Sequence, residues 1–260
     1  MSDFFPPWLT AGIFTLVLFT FTWVLQLRTK NAAIVDTVWA ISYPLQAMLY
    51  FVMVPGFPMR QMIVVVLISL WGFRLGLYLL QRTQGHPEDA RYTALRNEWG
   101  PLQNWKMLRF YWFQAFFAFL LATPLLLINL NSTPHILWIE WIGFGIFLVA
   151  WTGESIADAQ LHQFKKNPSN RGKICMQGVW KYSRHPNYFF EWLIWVAIAW
   201  IALGSAGGYM AWLCPLLMYY FLVYVTGIKY TEDHMLRTRG DAFRDYQQRT
   251  SAFFPWFTKK

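Results

Sequence analysis

Asp36, Arg74, Glu154, Asp158 and Glu191 are ionisable residues set in or at the edge of strongly apolar stretches. Such groups persist at membrane depth when they pair or face a polar cavity, so each marks a candidate functional position. Helical spacing groups them with other polar and aromatic residues. Trp71, Arg74, Tyr78 and Arg82 fall at i, i+3, i+7 and i+11, which places them on one helix face. Asp36, Trp39 and Tyr43 share a second face. Glu154, Asp158, His162 and Lys165 share a third, and Asn187, Glu191 and Trp195 a fourth. Carboxylates and tyrosines can position or protonate a polar substrate, whereas arginine forks and lysine point charges suit phosphates.

Cationic stretches with interspersed tyrosines flank these faces. Arg91, Tyr92 and Arg96 form one; Lys165 to Lys173 form another, followed by Tyr182 and Arg184. A phosphorylated, ring-bearing cofactor fits that lining. No Gly-x-Gly-x-x-Gly or Gly-Lys-Ser/Thr loop is present, so the membrane bundle itself would have to hold the ligand.

The elements that must position these residues follow from composition. The 260-residue chain is 56% hydrophobic, 20% aromatic and only 13% charged, which excludes an ordinary soluble domain. Seven apolar runs predict an all-α integral membrane bundle of seven transmembrane helices. They span about 8–27, 35–54, 62–80, 110–130, 136–156, 188–203 and 208–228, with an amphipathic cytoplasmic tail over 229–260. The whole chain reads as one membrane-embedded domain. Its first run lacks a basic lead and a small-residue cleavage site, as expected of a retained helix.

Of the 22 basic residues, all but Arg60 and Arg74 fall in the first, third and fifth gaps or after the last run. That asymmetry predicts an external N-terminus and a cytoplasmic C-terminus, with the site opening to the cytosol. The net charge of +9 is thus a topology signal plus an anionic ligand, and nucleic acid is not expected as a partner. Cys175 and Cys214 stand far apart in unlike settings and indicate neither a disulfide framework nor a metal site. The histidines lack close ligand spacing, so no metal is expected. No internal repeat is visible, which argues against an inverted-repeat transporter.

The stretch Ala157-Asp158-Ala159-Gln160, then Phe164-Lys165, Gly178-Val179-Trp180 and Ser183-Arg184-His185-Pro186-Asn187-Tyr188, resembles the steroid 5-alpha-reductase C-terminal family. The ending Phe243-Arg244-Asp245-Tyr246 with Phe254-Pro255-Trp256-Phe257 is similar to that of 5-alpha-reductases and sterol reductases. Trp71-Gly72-Phe73-Arg74 and Gly85-His86-Pro87-Glu88-Asp89-Ala90-Arg91-Tyr92 suit its bacterial branch, over about residues 30–257. The resemblance implies an NADPH-dependent reductase of a bacterial cytoplasmic membrane. It would reduce the carbon–carbon double bond of an enone lipid such as a 3-oxo-4-ene steroid, acting without an obligate protein partner.

The resemblance also implies roles. Asp36 matches the acid that hydrogen-bonds the substrate carbonyl, and the family's tyrosine falls on Trp71, whose indole N–H donates a hydrogen bond but does not transfer a proton. Tyr78 is then a further catalytic candidate. Asn187 and Glu191 match residues that hold the nicotinamide carboxamide, and Asp158 one that meets the adenosine side. Lys165, Lys173 and Arg184 stand where phosphate or ribose contacts occur. Arg74, Arg82, Asp89, Arg91, Tyr92, Tyr182, His185, Tyr188, Glu232 and Arg237 complete the expected cofactor set.

Arg184-His185-Pro186-Asn187-Tyr188 followed by Glu232-Asp233 also resembles membrane isoprenylcysteine carboxyl methyltransferases, which use S-adenosylmethionine. The intramembrane Asp36 and Arg74, the Asp158-to-Lys165 face and the wealth of cations favour the reductase.

Overall fold

A computed structural model describes residues 3–258; Lys259 and Lys260, two of the expected tail charges, lie outside the described residues. Among these the regular structure is helical, with a single isolated parallel bridge, Ser183 to Ser251. The chain divides into two compact units, Met1–Ile136 with Gly204–Gly208, and Leu137–Leu203 with Tyr209–Lys260.

The first unit contains α1 (Phe5–Thr29), α2 (Ile34–Met53), α3 (Pro58–Thr83), α4 (Ala90–Trp99) and α5 (Gln103–Leu130). Proline in the first turn opens α1 and α3, where its missing N–H costs nothing. Helices α2 and α3 approach closely because two glycines of α3 face α2. A Cβ on Gly72 would lie 2.5 Å from Cδ of Pro44, and one on Gly76 2.7 Å from Ile41. At the end of α3 opposite to Arg82, the fully buried Arg60 donates to the carbonyls of Asn131, Thr133 and His135 at 2.7, 3.1 and 2.7 Å. Those bonds tie the α5 exit to α3 and satisfy carbonyls that have no helical partner.

The second unit contains α6 (Trp138–Lys166), α7 (Pro186–Ala202), α8 (Leu213–Tyr220), α9 (Ile228–Arg239) and α10 (Asp241–Arg249). Helices α6 and α7 pack along small residues: Gly143 sits against Ile201 and Gly153 against the Phe190 ring. The expected continuous run 208–228 is broken. Residues Phe221–Val225 form a π turn, with the Thr226 N–H bonded to the Phe221 carbonyl at 2.8 Å, and the chain bends before α9. The expected tail is two helices and a closing segment, whose Phe253 and Phe254 rings pack on Phe189, Trp192 and Tyr219.

Among the described residues, five helical segments are long and apolar enough to cross a membrane: Phe5–Thr29, Pro58–Thr83, Ala90–Leu130, Trp138–Lys166 and Gly208–Arg239. Exposed Leu, Phe, Val and Met side chains cover them, as lipid contact requires. The chain is therefore an integral multi-pass membrane protein. Two of the seven expected spans differ from these five for visible reasons: α2 carries Asp36, Pro44 and Gln46, and α7 is only 17 residues long.

Candidate functional site

In the first unit the site is built at the start of α2. Two backbone N–H groups there need acceptors. Asn31 Oδ1 accepts from Ala33 N–H at 3.1 Å, and Glu88 Oε1 accepts from Ala32 N–H at 2.6 Å. Asp36 follows in the first turn of α2, where the helix dipole favours negative charge.

Its partners come from α4, a short polar helix within the basic stretch after α3. Asp89 caps α4 by accepting the Arg91 N–H at 3.0 Å. That start places Tyr92 and Arg91 over Asp36. The Tyr92 hydroxyl donates to Asp36 Oδ1 at 2.6 Å, and Arg91 Nη2 donates to Oδ2 at 3.1 Å. Tyr92 is buried, whereas the Arg91 side chain remains 45% exposed and also pairs with Asp89 at 3.0 Å. Those contacts with Arg91 outweigh desolvation and hold the Asp89 carboxyl below the usual carboxylate range. Beside Asp36 runs an aromatic row, with Trp39 edge-on to Tyr43 at 4.8 Å and Tyr43 at 5.4 Å from the fully buried Trp71. On the same face of α3, Arg74 and Tyr78 are half-buried and Arg82 is exposed, so the expected descent from surface to core is present.

A second network braces α4. Arg96 meets Glu88 at 2.8 Å and donates to Gln26 at 2.7 Å and Gln103 at 3.3 Å. Tyr111 donates to the Ala32 carbonyl at 2.7 Å. These supports were missed from sequence. The spacing from Glu88 to Arg96 is a weak helical signal, and Gln26 and Tyr111 give none.

In the second unit, Glu232 gathers the residues before α7. It accepts from Arg184 Nε at 2.7 Å, His185 Nε2 at 3.1 Å and Gln247 Nε2 at 2.7 Å. Arg184 Nη1 donates to the carbonyls of Gln247 and Thr250. Burial lowers the His185 pKa despite Glu232, so the ring is neutral near pH 7 and its Nε2–H is the donor. The ring stacks on Tyr188 at 5.4 Å with a 5° tilt. Arg184, His185 and Glu232, expected as cofactor contacts, meet in one cluster that ties the α7 entry to α9 and α10. Gln247 completes it and has no sequence signal.

Farther along α7, Glu191 is buried and accepts from the Trp195 indole at 3.1 Å, one turn on, as their spacing implies. Asn187 is half-buried one turn before it. On α6, Glu154 and Asp158 are buried while His162 and Lys165 are exposed. Lys173, Lys181, Tyr182 and Arg237 are exposed. The Trp180 indole donates to the Ala157 carbonyl at 2.9 Å, and the Tyr246 hydroxyl donates to the Trp180 carbonyl, fixing the basic loop onto α6 and α10. Cys175 and Cys214 form no disulfide, and among the described residues no group of three His, Cys, Asp or Glu is placed to hold a metal ion.

No solved structure matches the chain. An uncharacterized protein of Schizosaccharomyces pombe, C594.04c, is 25% identical over 280 residues, covering 96% of this chain and 80% of the relative. A family model described as protein of unknown function, DUF1295, matches residues 22–250, and the chain belongs to that family.

Proposed function

We propose that this protein is an NADPH-dependent reductase of an enone lipid, with a 3-oxo-4-ene steroid as the substrate class. The observation that carries the reading is the Asp36–Tyr92 pair. At 2.6 Å the Tyr92 hydroxyl donates its proton to the Asp36 carboxyl, with Arg91 beside it at 3.1 Å. Either oxygen can present that proton to a carbonyl, and removal of a preorganised donor of this kind costs on the order of 10²-fold in rate. A methyl transfer needs no such acid. The family takes in steroid 5-alpha-reductase-like proteins, which agrees with the resemblance carried by Asp158, Asn187 and Glu191.

NADPH fits the exposed cations of the α6–α7 loop. Lys165, Lys166, Arg171, Lys173 and Lys181 are solvent-facing there and suit several phosphates. Glu191 and Asn187 would hold the carboxamide and Asp158 the adenosine side. When bound, the cofactor supplies a hydride for the enone β-carbon. The chain's own part is to hold the enone carbonyl at Asp36 and Tyr92, stabilise the negative charge that develops on oxygen, and deliver the proton. Trp39, half-buried on the face of Asp36, offers an apolar surface for a fused-ring substrate, backed by the buried Tyr43 and Trp71, with Arg74 and Tyr78 on the same α3 face as Trp71.

The finer topology belongs to the same reading. With α2 and α7 crossing, the helices make seven spans, the N-terminus lies outside a bacterial cytoplasmic membrane, and the basic gaps face the cytosol. The runner-up is an S-adenosylmethionine-dependent methyltransferase, favoured by the meeting of Arg184, His185 and Glu232 in one cluster. Thermal unfolding of the purified protein separates the two. NADPH should raise the unfolding temperature and S-adenosylmethionine should not; stabilisation by the methyl donor alone would replace this reading with the other.

A further inference from the structure

At the basic end of α1 the first unit holds a cleft of about 210 Å³, lined by Gln26, Lys30, Glu88, Arg96, Gln103 and Asn104. Its two central charges cancel, because Arg96 directs Nε and Nη2 to Glu88. Arg96 also takes the side-chain oxygens of Gln26 and Gln103. Each amide is thereby oriented with its NH2 as the remaining polar end. Gln26 is completely buried, and its Nε2 has no hydrogen-bond acceptor. A buried donor left unsatisfied is costly, which marks the position as one that expects an acceptor.

Two further features supply positive potential. Lys30, exposed, ends α1 with a left-handed backbone (φ 56°), and α5 begins at the cleft with its positive dipole end. The surroundings are those of a membrane–water boundary: the Trp23 indole donates to the Asn104 carbonyl at 3.0 Å, and Leu102 and Trp105 are exposed beside it. Apart from the exposed Asn104 amide, which can turn either its oxygen or its NH2 inward, the uncommitted side-chain groups are donors or a cation, in a space large enough for a small anion.

We propose that this cleft binds a phosphate ester, held by Lys30 and the buried Gln26 amide. The proposal does not depend on the reduction chemistry. Phosphate of this kind comes from a lipid headgroup or from a soluble ester, and one experiment distinguishes them. The full chain, purified in a neutral detergent, is titrated with phosphatidylglycerol, with diacylglycerol of the same acyl chains, or with glycerol phosphate, and thermal unfolding is followed. Phosphatidylglycerol should stabilise it and diacylglycerol should not. Apparent affinity should fall about tenfold in Lys30→Ala and in the isosteric Gln26→Glu. If glycerol phosphate binds equally well with the same sensitivity to both changes, the site takes its phosphate from solution. Equal effects of diacylglycerol and phosphatidylglycerol, or unchanged affinity in Lys30→Ala, would overturn the proposal. Lys30 is exposed at the end of α1, so that variant decides the matter even if Gln26→Glu fails to fold.

Discussion

Tyr92 and Asp36 lie 56 residues apart, yet a 2.6 Å hydrogen bond joins them. Asp36 was legible from sequence because a carboxylate at the head of an apolar run is costly and therefore conspicuous. Its partner was not, since an aromatic residue in a basic stretch carries no mark of the register that aims its hydroxyl. If the Tyr92 hydroxyl proton is the one delivered, Tyr92→Phe should lower turnover on the order of 10²-fold while NADPH-induced stabilisation persists. Wild-type turnover in that variant would remove Tyr92 from the chemistry. His185 makes a separate prediction. Burial holds its folded pKa below the ordinary 6.5, so the unfolded chain takes up a proton first as the pH falls. Stability should be full above about pH 6.5 and decline as pH drops through that value toward the folded pKa. Unfolding temperature measured from pH 8 to pH 5 should show this slope in wild type and a shallower one in His185→Gln, the approximate pH limits bracketing the histidine titration.

Helices α2 and α3 position the Asp36 and Trp71 faces, and their approach depends on Gly72. A Cβ there would meet the Ala40 carbonyl oxygen at 2.8 Å as well as the Pro44 ring, and backbone cannot move aside as a flexible side chain can. Gly72→Val should therefore lower stability by about 1–3 kcal/mol and abolish turnover by displacing Trp71. Gly145 in α6 provides the control. Nothing lies within 4 Å of its added Cβ, so Gly145→Ala should be neutral or mildly stabilising in thermal unfolding. At this scale the apolar spans were readable because apolarity over about 20 residues is a strong signal. The α4 helix was not, being ten residues long, polar and without an apolar stripe. Nor was the π turn at Phe221–Val225, because a local change of hydrogen-bond register leaves the apolar run around it intact.

For the whole molecule, composition and the alternation of basic gaps made the membrane class legible without coordinates. The division of labour within each unit required the structure. Arg184, His185 and Glu232 are conspicuous by residue type, and the structure adds that they meet one another and hold the C-terminal helices to the α7 entry. In the proposed reading the exposed cations of the α6–α7 loop would meet phosphate and the Asp36–Tyr92 pair would meet the carbonyl. The most direct test mixes purified protein with NADPH and a 3-oxo-4-ene steroid and follows both NADPH oxidation and the steroid product. The account predicts one saturated product per NADPH consumed, with the activity lost in Asp36→Asn although NADPH still stabilises that variant. No consumption by wild type, or full activity in Asp36→Asn, would contradict it.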